Sequence, residues 1–215
     1  MEKNTKKRSE QERSHETKLK ILNIALNEFA SSGFEGVSIR VIATRAGVNH
    51  TLISHHFGNK EALWKATAEW AFGIYDKKFM ERREALKKVE TYEMIRVLIK
   101  DFVEFCAKYP DFHRFMLQAN QSDTKRLNWL TDRFLRSGAD AELGVLQQAQ
   151  ELGLMPQGDS LHIRYLFIGA ATSIFIFAPE FSRLSGTDPF SEDIMEQHVK
   201  YLLSLFSDKT TLNTK

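Results

Sequence analysis

The residues best placed to do chemistry lie close together. Between Ser38 and Phe57 the chain sets short hydrogen-bonding side chains, Asn49, His50, Thr51, Ser54 and His55, among the apolar residues Ile42, Val48 and Ile53. On a short helix starting near Asn49, the polar members share the side opposite the apolar ones. Short polar side chains on the outside of a helix can read donor and acceptor patterns on base edges in a major groove. The same pattern also fits a helical hairpin whose polar face is only solvated. Other chemistries find less. The seven histidines include no pair spaced i, i+4, as a helical zinc site would need. There is no glycine-rich phosphate loop, no nucleophile elbow and no cysteine cluster. Cys106 sits within an apolar stripe and reads as core. No catalytic residue, metal ligand or cofactor is expected.

Positioning those side chains takes two short helices crossing at a tight turn. Ser38 is a good N-cap for a run from Ile39 to Ala46. Gly47 can take the positive φ of the turn, and Ala43 and Ala46 let the helices approach. Asn49 can cap a run from Thr51 to Phe57, and a longer helix opens at Asn59 with Lys60 and Glu61. Ahead of these, Leu19, Ile21, Leu22, Ala25, Leu26, Phe29 and Ala30 make one apolar helical face from Glu16 onward, ending at Gly33.

This segment resembles the DNA-binding domain of the tetracycline-repressor (TetR) family. The resemblance runs over residues 17–64, about a quarter of the chain. It is carried by Ile21, Leu22, Ala25, Leu26, Phe29, Ala30, Gly33 and Phe34, then by Val37, Ser38, Ile39, Ile42, Ala43, Ala46, Gly47, Val48 and Asn49. It continues through His55, His56, Phe57, Gly58, Asn59, Lys60, Glu61, Ala62 and Leu63. It implies that Asn49, His50 and Thr51 face bases, while Ser38, Arg40, His55 and Lys60 hold phosphates. Many relatives carry a phosphate-gripping Tyr where this chain has the shorter Ser54. The implied function is a sequence-specific regulator, usually a repressor, released from a palindromic operator by a small effector. A regulator without a small ligand, controlled by a protein partner or by concentration, is the alternative, and a helical enzyme a more distant one.

Composition agrees with an all-α chain. Eleven Gly and four Pro in 215 residues leave little punctuation for many strands, while 16 Phe and 3 Trp can fill a core. The net charge of +2 is unevenly spread: residues 1–60 hold ten Lys/Arg against six Asp/Glu, and the remainder is mildly acidic. A basic head on an acidic body suits a polyanion-binding module joined to something else. One cysteine implies no disulfide, the polar N-terminus is no signal peptide, and the apolar stretch from Tyr165 to Ala178 is too short to span a bilayer. A cytoplasmic chain with no membrane partner is expected. Residues 1–15 read as a flexible basic arm (Lys3, Lys6, Lys7, Arg8, Arg13), 16–64 as the helix-turn-helix domain, and 65–215 as a helical effector-binding and dimerisation domain.

In that larger domain helices are expected from Thr91 to Tyr109, ended by Pro110, and from Asp111 to Gln118. Others are expected from about Ser122 to Leu152, with continuity in question at Gly138 and Gly144, from Leu161 to Ala178, and from Asp193 to Phe206. The Leu161–Ala178 run is apolar almost all round and must be covered on every side. With the last helix it is the expected homodimer interface, through Ile168, Ala171, Phe175, Val199, Leu202, Leu203 and Phe206; the family's last two helices usually build such a bundle. Phe102, Phe105, Cys106, Phe112, Phe115, Met116, Trp129 and Phe134 are the candidate effector pocket. His113, Gln118 and Asn120 are possible polar anchors for an apolar or aromatic ligand of unknown identity.

Overall fold

The computed structural model describes residues 2–86, 88–121, 124–153 and 155–206, with the backbone alone for residues 2–10 and Thr91. These residues are predominantly helical, with no strand among them. The chain forms two compact units that interleave in sequence: residues 1–74 with 114–127, and residues 75–113 with 128–215.

The first unit opens with α1 (Glu2–Gly36). The segment expected as an arm is helical from Glu2 and continuous with the apolar-striped helix; the side chains of its Lys3, Lys6, Lys7 and Arg8 lie outside the described residues. The stripe buries Ile21, Leu22, Ala25, Leu26, Phe29 and Ala30, whereas Leu19 lies exposed at its edge. Gly33 takes φ 67°, ψ 177° and kinks the helix. A Cβ there would lie 2.9 Å from the Gln118 side chain, so glycine serves both the backbone conformation and the close approach.

Helices α2 (Ile39–Ala46), α3 (His50–Phe57) and the first part of α4 (Lys60–Ala85) complete the segment. Ile42, Ala43, Ala46, Ile53, Leu63 and Trp64 close the core of this unit. Each fully buried Ile, Leu or Phe stabilises the fold by about 1.5–3 kcal/mol. The stretch from Arg114 brings Phe115 into the same core, its ring 5.1 Å from Trp64.

The second unit is built from the rest of α4, α5 (Thr91–Lys108), the start of α6 (Pro110–Asn120), α8 (Arg136–Glu151), α9 (Ser160–Ile176), α10 (Ala178–Ser185) and α11 (Glu192–Phe206), with α7 (Lys125–Leu130) leading in. Its core gathers Ile95, Ile99, Val103 and Cys106 of α5, Leu146 and Ala149 of α8, Ala171 and Phe175 of α9, and Leu202 and Phe206 of α11.

Several boundaries differ from expectation. Pro110 begins α6 as well as ending α5, since a first-turn residue needs no N–H partner. Helix runs unbroken from Lys125 to Glu151 through a π-helical turn at Thr131–Leu135; Gly138 and Gly144 do not interrupt it, and the expected start at Ser122 lies outside the described residues. The apolar run ends at Ile176, and α10 follows with Pro179 in its first turn, between the two helices expected at Leu161–Ala178 and Asp193–Phe206. No single described helix is long and apolar enough to cross a membrane. Helices α9 and α10 meet the length and composition test only as a pair bent by 68°.

Candidate nucleic-acid interface and ligand cavity

The hairpin of α2 and α3 is fixed by its caps. The Ser38 hydroxyl accepts from the Val41 N–H at 3.3 Å. Gly47 adopts φ 65°, ψ 34°, and Val48 N–H donates to Ala43 C=O at 3.0 Å, closing α2. Asn49 Oδ1 accepts from the Thr51 N–H at 2.9 Å and starts α3. Asn59 Oδ1 accepts from Ala62 N–H at 2.8 Å at the start of α4.

With Ile42, Ala46 and Ile53 turned inward, Ser38, Arg40, Asn49, His50, Thr51, Ser54 and His55 are all exposed. The structure thus brings seven of the eight sequence-picked residues onto the accessible surface of one hairpin. Lys60 is half-buried: its ammonium lies 4.4 Å from the Phe34 ring centroid and 3.5 Å from the Glu35 carbonyl. Asn49 caps its own helix with the oxygen that would also be its acceptor for base reading.

Two supports of the hairpin escaped the sequence. Glu28 on α1 is 3% exposed and pairs with Arg45 on α2. A buried carboxylate with one cation ties the first helix to the hairpin. Arg126 stacks its guanidinium 3.7 Å from the Phe34 ring centroid and donates to Glu35 and Glu61, each at 3.3 Å. Heptad or i, i+4 patterns carry no trace of either, since the partners are 17 and 91 residues apart at the extremes.

The second unit holds a cavity of about 590 Å³, open on one side, between α4, α5, α8 and α9. Of the eight residues expected around a ligand, Phe102 and Phe105 stand on its wall. Cys106 is packed in the core instead, where burial pushes its thiol above the usual range, and Phe112 stacks on Tyr75. Phe115 and Met116 belong to the first unit, and Trp129 and Phe134 pack edge-to-face on each other away from the cavity lining. Aromatic spacing on a helix cannot distinguish a core face from a cavity face, which is why six of the eight fall elsewhere. Of the possible anchors, Gln118 meets Gly33 in the first unit and Asn120 donates to Met116 C=O at 2.8 Å. His113 is buried among Phe102, Phe105 and Phe112 with its Nε2 lacking a partner among the described residues, and burial lowers its pKa to about 4.

The cavity's polar residues were not anticipated. Tyr75 donates to Glu142 Oε1 at 2.6 Å, and Arg164 Nε donates to Glu142 Oε2 at 2.5 Å. One carboxylate so joins α4, α8 and α9. Burial raises the Tyr75 pKa, and the adjacent Glu142 adds to it.

The expected dimer face also needs correction. Ala171, Phe175, Leu202 and Phe206 are buried within the single chain, and Val199 and Leu203 pack against the same core, while Ile168 lines the cavity. A helix apolar all round gives no sign of which side its own chain covers. The apolar side chains left outside are Leu161, Tyr165, Leu166 and Phe177 around α9, and Tyr201 and Leu205 on α11.

Residues 21–67 match the sequence profile of the bacterial regulatory proteins of the tetR family. The chain carries a DNA-binding domain of the tetR family. Its similarity extends beyond that segment. It is 27% identical over 184 residues to the transcriptional regulator RutR of Escherichia coli O157:H7, covering 84% of each chain. The regulator CymR of Pseudomonas putida is 32% identical over 100 residues, 46% of this chain and 48% of that protein, so the match spans about half of CymR. Among solved structures, AibR in complex with isovaleryl coenzyme A and operator DNA superposes with a TM-score of 0.69 over 89% of this chain and 98% of AibR, at 16% identity. That likeness shows the fold alone.

Proposed function

We propose that this protein is a homodimeric repressor that binds palindromic operator DNA and leaves it when a small apolar ligand fills the cavity of the second unit. The observation that carries the DNA reading is the hairpin: a core held by Ile42, Ala46 and Ile53 leaves Ser38, Arg40, Asn49, His50, Thr51, Ser54 and His55 exposed together, within the segment that matches the family's profile. Asn49, His50 and Thr51 read bases, and Ser38, Arg40, Ser54, His55 and Lys60 hold phosphates. As for domains, residues 16–64 act as the reading head and 65–215 as the sensing and pairing body, with residues 1–15 a basic extension.

One such head reads too few bases for useful specificity, so two copies act together, with recognition helices about 34–36 Å apart on one face of the duplex. The exposed Tyr165, Leu166, Phe177, Tyr201 and Leu205 form the surface through which a second copy docks. The cavity favours a ligand sensor over a regulator without one: a collapsed second unit would have no room for an effector, whereas about 590 Å³ falls in the range that holds a small molecule. A ligand that favours a dimer with the wrong helix separation weakens DNA binding, and DNA weakens ligand binding by the same factor. Bound to DNA within the cell and carrying no catalytic role, the protein works in the cytoplasm.

Selection of genomic fragments by the purified protein at low and physiological salt tests this. The expected result is a recurring palindrome that survives the higher salt. Random fragments released as salt rises would reduce the binding to phosphate attraction alone.

A further inference from the structure

The charges on the cavity wall are not balanced in their partnerships. Four carboxylates line it, and each already has a cation: Glu142 has Arg164, Asp101 has Arg82, Glu81 has Lys77 at 3.9 Å and Glu104 has Lys100 at 3.8 Å. Glu142 has in addition spent its other oxygen on Tyr75. The cations are less fully used. Arg164, with a side chain 14% exposed, gives Glu142 only its Nε–H, and its Nη atoms have no acceptor among the described residues. Lys78 and Lys108 stand on the exposed rim, 5.6 and 5.7 Å from the one Tyr109 ring, without a carboxylate partner among the described residues.

These spare donors sit at one end. Helices α4 and α5 run antiparallel, since Arg82 meets Asp101 while Tyr75 meets Phe105. Helices α8 and α9 do likewise, since Glu142 meets Arg164 while Gln150 meets Ser160. Tyr75, Lys78, Lys108, Glu142 and Arg164 therefore share a polar end. Ala85, Ile95, Ile99, Leu146, Ala149 and Met155 line the other, which is apolar. Phe102, Phe105 and Phe167 stand on the wall nearer Tyr75.

We propose that this cavity takes an apolar carboxylic acid as its anion, with the chain along Ile95, Ile99, Leu146 and Met155 and the carboxylate on the Nη atoms of Arg164. The assignment rests on the cavity being the effector site. Arg164 keeps its Nε–H bond to Glu142, which holds the guanidinium plane still for the ligand, and Lys78 and Lys108 draw the anion in at the rim. A cationic ligand would find aromatic walls but no unpaired carboxylate.

Isothermal titration of the full-length protein, free of DNA, tests the assignment with three probes below their micelle-forming concentrations: dodecanoate, dodecanol and dodecyltrimethylammonium. Dodecanoate should bind at least about tenfold more tightly than dodecanol, the value of a charge-assisted hydrogen bond, and the ammonium should bind more weakly than the alcohol. The double variant Arg164→Met with Glu142→Gln leaves no buried carboxylate without its cation. It should remove most of the acid's advantage over dodecanol, leaving only what Lys78 and Lys108 contribute, while dodecanol itself binds as before. If that variant does not fold, Lys78→Ala with Lys108→Ala, both on the exposed rim, should lower the acid-to-alcohol ratio and leave the alcohol unaffected. Equal affinity for acid and alcohol, preference for the ammonium, or no binding by any probe overturns the assignment. Operator release is measured separately. An alcohol or ammonium that binds and releases DNA overturns the acid class and leaves the ligand-sensing reading standing. An acid that binds as expected and leaves DNA bound overturns the effector role instead.

Discussion

His113 makes the acid stability of the second unit calculable. Its ring is buried among three phenylalanines, its Nε2 has no partner among the described residues, and burial lowers its pKa from 6.5 to about 4. A folded-state pKa below the unfolded one means that the unfolded chain takes up the proton first. Stability from this group is therefore complete above about pH 6.5 and falls as the pH drops toward about 4, where the folded state also protonates. The loss amounts to roughly 1 kcal/mol at pH 5.5 and roughly 2–3 kcal/mol at pH 4.5. Replacing His113 by Leu removes the titration while keeping an apolar side chain of similar volume. Urea unfolding of both proteins at one protein concentration, from about pH 8 to about pH 4.5, gives two stability curves. Other groups, including His56 and His198, whose pKa values burial also lowers, act on both curves and cancel in the difference. The wild type should lose stability relative to His113→Leu by these amounts as the pH falls. A difference that stays constant with pH would refute the reasoning, because it would mean that the buried imidazole is protonated as easily in the fold as out of it.

Further substitutions address the other sites. Asn49→Ser keeps a capping oxygen and so keeps α3; a changed operator preference in binding selection would separate base reading from the cap, and an unchanged preference would leave Asn49 as a cap only. Lys60→Ala should weaken binding to specific and random DNA alike and make the salt dependence shallower by about one unit in a titration of affinity against salt; identical slopes would limit Lys60 to its contact with Phe34. Arg45→Ala leaves the Glu28 carboxylate buried without its cation and should cost roughly 2–3 kcal/mol in chemical denaturation, whereas a loss below about 0.5 kcal/mol would mean the carboxylate finds water. Leu205→Glu places a charge on the exposed apolar face and should shift sedimentation toward the monomer with the melting temperature of the monomer little changed; an unaltered dimer would move the interface elsewhere.

Part of this protein was legible in its sequence. The helical class and the hairpin followed from local rules: Ser38 and Asn49 as caps, Gly47 at positive φ, and the three- and four-residue spacing of Ile21, Ala25, Leu26 and Phe29. These act within one or two turns of chain, so residue order alone decides them. The outward set from Ser38 to His55 was equally readable, because a short helix with one buried residue such as Ile53 leaves its other sides to solvent.

Tertiary structure decided the rest. That Phe115 joins the first unit, that Phe105 lines the cavity while neighbouring Cys106 fills the core, and that Phe175 and Leu202 are covered by their own chain all depend on which helix lies against which. Apolar side chains gain from burial in any direction, and the hydrophobic effect has no preferred partner. The meeting of Tyr75, Glu142 and Arg164 is of the same kind: three polar residues scattered over some ninety positions acquire a role only when packing removes them from water and leaves each the others as partners.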